Sequence, residues 1–217
     1  MRRMKAIAAT ALAVAVISPA AAQTAPGTTT ADSDVVHLTG RHMIGLSMGV
    51  MDHMASIVRV SVGGVSVNSQ GAFWVGYSHW FDPDWALLAE TGVISSQVSV
   101  SGAGTETAAL FPILFGLRYQ PEDWALGEKV RPYLGGAAGP YFGFQTLTGW
   151  SVEVGVQTAV GGRLGAGFDV IPNRYISLGA VLRYHAVTDF DRVIGSRDNY
   201  SGFEFSLRFG ILLGAGR

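Results

Sequence analysis

The chain has 217 residues, 48% hydrophobic and 14% charged, with 29 Gly, no Cys and a formal net charge of −1. Soluble domains carry about a quarter charged residues, so this charge content with a positive mean hydropathy points away from an ordinary soluble domain. The near-neutral balance excludes a strongly basic nucleic-acid binder, and the absence of Cys excludes disulfide frameworks, thiolate zinc sites and Cys nucleophiles.

Residues 1–22 have the pattern of a secretory signal peptide. Arg2, Arg3 and Lys5 precede the short apolar run Ala6 to Ile17, Pro19 breaks it, and Ala20-Ala21-Ala22 offers small residues for cleavage before Gln23. Its removal takes away three of the 15 basic residues and none of the 16 acidic ones. Residues 23–40 are polar, with Pro, Thr and Asp, and are expected to form a flexible lead-in. Residues 41–217 are expected to form one domain.

No later run is long enough for a membrane helix. The densest apolar stretch, Ala108 to Leu117, contains Pro112 and is the length of a tilted barrel strand. The period throughout is two, which argues for strands. Phe73, Val75, Tyr77, His79 and Phe81 alternate with smaller or polar neighbours, as do Phe111, Ile113, Phe115, Leu117 and Tyr119. Val160, Gly162, Leu164, Ala166 and Phe168 alternate with Gly161, Arg163, Gly165, Gly167 and Asp169. Leu178, Ala180, Leu182 and Tyr184 alternate with Gly179, Val181, Arg183 and His185, and Phe203, Phe205, Leu207 and Phe209 with Glu204, Ser206, Arg208 and Gly210. With Met43–Met51, Trp85–Ser99 and Arg131–Phe144 the count reaches eight strands. Asp82-Pro83-Asp84 and Pro172-Asn173 supply turns, and 121–129 a longer one. Residues 52–69 are β-prone around Gly63-Gly64 and extend the first hairpin or add a strand pair; extension is favoured.

The second face of these strands is Gly, Ser, Ala and isolated charges with hardly any Lys, which suits a narrow lumen rather than a solvated surface. The apolar face is therefore expected to meet outer-membrane lipids, giving an all-β, eight-stranded antiparallel up-and-down transmembrane β-barrel. Trp80, Trp85, Tyr119, Trp124, Tyr133 and Tyr175 lie beside the short turns and are assigned to an interfacial aromatic girdle. Trp74 and Trp150 are placed at the opposite strand ends or in loops.

The run Arg131-Pro132-Tyr133-Leu134-Gly135-Gly136-Ala137-Ala138-Gly139 resembles a strand of the OmpA-like and OmpW-like outer-membrane barrel families, as do the segments 161–167 and 178–184. The resemblance covers roughly 41–213, and the last strand is similar to the families' terminal assembly signal at Phe203, Phe205, Leu207 and Phe209. The chain departs from it by ending Leu213-Gly214-Ala215-Gly216-Arg217, without the usual terminal aromatic, and no peptidoglycan-binding domain follows. The resemblance implies localisation in the bacterial outer membrane and, on the OmpW-like side, passage of small apolar molecules through the barrel wall.

The inward-facing charges are Glu90, Asp169 and Glu204 against Arg118, Arg163, Arg183 and Arg208. Glu90 and Arg118 are placed near the periplasmic end on adjacent strands, and Arg183 and Glu204 share a hairpin where they could pair. Eight strands enclose little more than side chains, so a salt-bridged plug is favoured over a charged constriction selecting solutes. Catalysis is not expected. Ser78 and His79 are adjacent and so face opposite ways, and His185, with Asp189 and Asp191 beyond it, has no well-placed Ser nucleophile. His37, His42 and His53 lack metal-ligand spacing, and the Gly-rich run 161–167 lacks the strand–turn–helix setting of a phosphate loop. Neither cofactor nor metal is assigned. Loops 145–153 and 189–201 are the candidates for surface ligands. Three functions remain open: a structural or surface-interaction barrel, a passage channel, and a soluble periplasmic lipid-binding barrel.

Overall fold

The computed structural model describes residues 37–52, 65–67, 70–100, 104–127, 129–147, 156–194 and 198–214. The proposed leader, most of the lead-in, His53, Trp150 and most of 52–69 lie outside these residues.

The strands are β1 (His42–Asp52), β2 (Val65–Val67), β3 (Gln70–Trp80), β4 (Trp85–Val100), β5 (Gly104–Tyr119), β6 (Val130–Leu147), β7 (Gln157–Asn173), β8 (Ile176–Val187) and β9 (Gly202–Leu213). All but β2 build the wall of a closed antiparallel barrel, in the order β4-β3-β1-β9-β8-β7-β6-β5, with β5 returning to β4. The first and last strands pair along their whole length, from His42 opposite Leu213 to Asp52 opposite Phe203. Closure leaves no unpaired strand edge, which a wall in hydrocarbon cannot tolerate. Strand β2 pairs with β4 at Val98–Val100, beyond the part of β4 that pairs with β3, so it continues the line of β3 along β4 and adds no wall strand.

Local chemistry accounts for the short turns. Asn173 Oδ1 accepts from the N–H groups of Tyr175 and Ile176 at 2.9 and 3.1 Å, closing the β7–β8 turn as an Asx turn. Asp82 Oδ1 accepts from Asp84 N at 3.2 Å in the β3–β4 turn. A 3-10 turn at Glu122–Trp124 and Gly127, held at φ +68°, carry the chain from β5 to β6. These three connections define a turn end of the barrel; the opposite, loop end holds the other hairpin connections. Strands β4 to β7 run to 16–18 residues, well beyond the 9–11 that a tilted strand needs to span. They therefore project past the wall at the loop end.

The apolar face points outward on every wall strand. Ile44, Leu46, Met48 and Val50 of β1, Phe111, Ile113, Phe115 and Leu117 of β5, and Phe205, Leu207, Phe209 and Ile211 of β9 are all exposed. The intervening side chains are buried in the lumen and include five arginines and three carboxylates. This inverts the arrangement of a soluble barrel and is the signature of a membrane wall. No helix among the described residues is long and apolar enough to cross a membrane.

Two girdle assignments are corrected. Trp80 is 1% exposed and Tyr133 6% exposed, both inside the barrel. Proximity to a turn placed them in the girdle, but parity decides: Trp80 shares the face of Ser78, and Tyr133 that of Arg131, and both faces are buried. Trp74, placed at a strand end, is likewise a lumen residue. Trp85, Trp124 and Tyr175 are exposed at the turn end, with half-buried Tyr119 4.7 Å from Trp85 and 5.4 Å from Trp124 between ring centroids. The lead-in assignment is corrected at its end: Leu38 is fully buried at the turn end, and Gly40 N donates to the Trp80 carbonyl at 2.7 Å.

Candidate functional site: a sealed charge layer in the lumen

The lumen is built in three layers. At the turn end Leu38, Met43, Trp80, Ala86, Ile171 and Leu212 form an apolar floor. Nearby, Arg41 binds the carbonyls of Gly214 (3.2 Å) and Arg174 (2.5 Å), tying the start of β1 to the turn and to the chain end. Burial, and then the neighbouring Arg174, lower the Arg41 pKa from its ordinary value.

Above the floor sits the charge layer. Arg118 pairs with Asp169, its guanidinium 3.6 Å from the Tyr133 ring centroid and 5.6 Å from that of Trp80. Arg163 pairs with Glu90 and lies 4.3 Å from the Trp74 ring, while Arg183 Nη2 is 3.9 Å from the same carboxylate. Arg183 Nη1 donates to Glu204 Oε1 at 2.7 Å. Glu204 also accepts from Trp74 Nε1 at 3.0 Å and from the Ser206 hydroxyl, and its Oε2 is 2.8 Å from His185 Nε2. A carboxylate can only accept, so Nε2 carries the proton; in the neutral ring Nδ1 then accepts from the Tyr141 hydroxyl at 3.1 Å. Arg208 is 5.9 Å from the Tyr133 ring centroid.

A third, apolar layer closes the loop end. Phe190, Ile194 and Tyr200 of the β8–β9 loop fold into the barrel mouth with Leu110, Leu114 and Tyr141. Gly143 makes room for them: a Cβ there would lie 2.2 Å from Ile194 Cδ1. Tyr200 is clamped by its hydroxyl to the Ile194 carbonyl, and Phe190 N donates to the Asp198 carbonyl at 2.8 Å. Ile194→Asp is expected to dislodge this plug. Trypsin would then nick the loop at Arg192 while the wall stays folded; equal trypsin resistance of variant and parent would refute the plug.

The glycines of the inner face follow from the same packing. A Cβ at Gly76 would lie 2.9 Å from Glu90 Cγ, one at Gly165 2.9 Å from Arg183 Cγ, and one at Gly179 2.6 Å from Asp169 Oδ1. Each of these residues directly faces its glycine across a strand pair. Long charged side chains can lie flat in a narrow lumen only over neighbours that have no side chain.

All seven charged residues predicted for the lumen are buried there. Glu90 and Arg118, placed near each other on adjacent strands, each bond across the lumen to a different partner, Arg163 and Asp169. His185 turns to Glu204 and away from the loop aspartates. Trp74, Tyr141, Ser206 and the Phe190–Ile194–Tyr200 plug were missed. For Trp74 the signal was its parity with Gly76 and Ser78; for the plug there was none, because a loop that folds inward has no period to betray it. Ser78 is buried in the lumen while its neighbour His79 is partly exposed, consistent with their opposite faces.

This closed wall and filled interior can be set against known structures. No family model and no curated protein sequence matches the chain. Solved structures do. The outer membrane protein OprG from Pseudomonas aeruginosa aligns with TM-score 0.52 at 17% identity, covering 82% of this chain and 98% of that one. Neisserial surface protein A aligns with TM-score 0.52 at 12% identity, over 81% and 97%. Ail, the attachment invasion locus protein of Yersinia pestis, aligns with TM-score 0.50 at 14% identity, over 81% and 99%. The fold is that of the small outer-membrane β-barrels. Each comparison spans nearly the whole of the known barrel, so the chain carries a complete wall of that type. Ail has also been crystallised in complex with the heparin analogue sucrose octasulfate.

Proposed function

We propose that the protein is exported by its N-terminal signal peptide and resides in the bacterial outer membrane. There it acts as a closed, non-enzymatic barrel with a structural or surface-interaction role. The carrying observation is the sealed lumen: a charge layer between an apolar floor and an apolar plug. A water-filled pore would need a continuous polar path, and an active site would need access for substrate; the packing of the described residues argues against both. Short turns on the periplasmic side and longer loops outside are the usual orientation of such barrels, which puts loop 189–201 at the cell surface. Its described tip exposes Asp189, Asp191, Arg192 and Asp198. The Ail complex supports the idea that a small barrel can take a ligand at its surface; here the described charges favour a partner with basic or mixed groups. The outward rings Trp85, Tyr119, Trp124 and Tyr175 form the periplasmic half of the lipid-interface girdle.

The second reading, passage of small apolar molecules through the wall, finds its best place between β5 and β6. There Pro112 lacks an N–H and the ladder is interrupted between Pro112 and Phe115. The strands nevertheless stay in contact, since a Cβ at Gly139 would lie 2.0 Å from the Ile113 carbonyl oxygen. The closed reading is therefore favoured.

Gel migration of the outer-membrane fraction tests the placement: the unboiled band should run compactly and shift on boiling. Recovery of the protein in the soluble periplasm, with no shift, would instead support a lipid-binding barrel. In planar bilayers the parent protein and its Arg163→Ala and Arg183→Ala variants should remain silent, and a steady conductance from the parent would refute the closed lumen.

A further inference from the structure

We propose that the charge layer holds one monatomic anion, a chloride or bromide, among Arg118, Arg163, Arg183 and Arg208. The first argument is charge. These four guanidinium groups share the layer with three carboxylates, Glu90, Asp169 and Glu204, all of them buried. Each carboxylate has a cationic partner: Asp169 binds Arg118 through Oδ2, Glu90 binds Arg163 with Arg183 near it, and Glu204 binds Arg183, His185, Trp74 and Ser206, while Asp169 Oδ1 has no hydrogen-bond partner among the described residues. Among the described residues no carboxylate lies within ion-pair distance of Arg208, whose favourable neighbours are the Tyr133 hydroxyl and, farther off, Asp169. These groups by themselves therefore carry one positive charge in excess, between the apolar floor cluster and the plug; Arg131, buried toward the turn end, has Glu122 as its acidic neighbour. A buried charge without a counterion is strongly unfavourable.

The second argument is geometric. Arg118 Nε and Nη1 and Arg163 Nη1 are buried and have no acceptor among the described residues. A cavity of about 30 Å³ is lined by Arg118, Arg163, Arg183, Arg208, Tyr133 and Glu90. A single water needs about 10–15 Å³ by the same measure, so the space suits one small ion with at most one water. Glu90 is the one anionic wall, and Arg163 and Arg183 already face its oxygens. Four arginines thus converge on a space of ion size that contains unused donors. The inference rests on the lumen geometry and holds wherever the barrel resides.

The whole barrel, purified and crystallised in sodium bromide, tests the site directly. At the bromine edge one anomalous peak is expected inside the lumen, within hydrogen-bond reach of the Arg118 and Arg163 side chains. A lumen without such a peak overturns the proposal. In solution, bromide replacing gluconate (too large for the cavity) at constant ionic strength should raise the thermal midpoint saturably, as binding to the folded state alone requires. Arg208→Met, which leaves three arginines against three carboxylates, should abolish that rise. A parent midpoint indifferent to bromide, or an equal rise in the variant, counts against the site. Should the variant fail to fold, the anomalous map of the parent decides.

Discussion

Replacing Glu204 by leucine is expected to cost about 3–5 kcal/mol of unfolding free energy, the range found when one partner of a buried ion pair is removed. Glu204 is fully buried and binds Arg183, His185, Trp74 and Ser206 together. Removing it leaves the Arg183 charge close only to Glu90, at 3.9 Å, and leaves three further polar groups without their acceptor. Leucine fits the volume, so the loss is electrostatic rather than steric. Removing both members of the pair, Glu204→Leu with Arg183→Met, should be milder than Glu204→Leu alone, because no charge is then stranded. Denaturant unfolding of the barrel in lipid vesicles, followed by Trp fluorescence, measures both. A single-variant loss below about 1 kcal/mol would show that the network does not hold the interior together.

Leu207→Arg should cost about 2–4 kcal/mol, the penalty of an arginine on the lipid face at the bilayer midplane. Leu207 is 63% exposed near the middle of β9. Leu126, in the β5–β6 turn, is 68% exposed and serves as the control. Leu126→Arg should change stability by no more than a few tenths of a kcal/mol, as at ordinary surface sites. Two leucines of nearly equal exposure then differ only in the medium they face. Equal and small effects at both positions would mean that the wall meets water, and the soluble periplasmic reading would follow.

The wall was legible in the sequence to a large extent. Strict alternation at Phe203, Phe205, Leu207 and Phe209 against Glu204, Ser206 and Arg208 states both the strand and its two faces, because side chains in a strand project with a period of two. The inner face, poor in Lys and rich in Gly, gave the direction of inversion. Parity would also have withdrawn Trp80 and Tyr133 from the girdle. It was overridden there by nearness to a turn, which governs depth in the membrane and not the side of the wall.

Partnership inside the lumen was beyond such reading. Which acid meets which arginine depends on the stagger of strands around the barrel. Glu90 and Arg118 lie on neighbouring strands yet bond across to Arg163 and Asp169, a consequence of closure that no local period encodes. The plug at Phe190, Ile194 and Tyr200, and the floor residue Leu38, lie outside the periodic strands, so only the folded mouth shows that they seal it. The sequence by itself determined an all-β wall, its lipid-facing side and the inventory of charges within, since these depend on alternation and composition. The tertiary structure alone decided the pairing of those charges and the packing of the floor and the plug at the two ends. These rest on contacts between residues far apart in the chain, brought together only when the barrel closes.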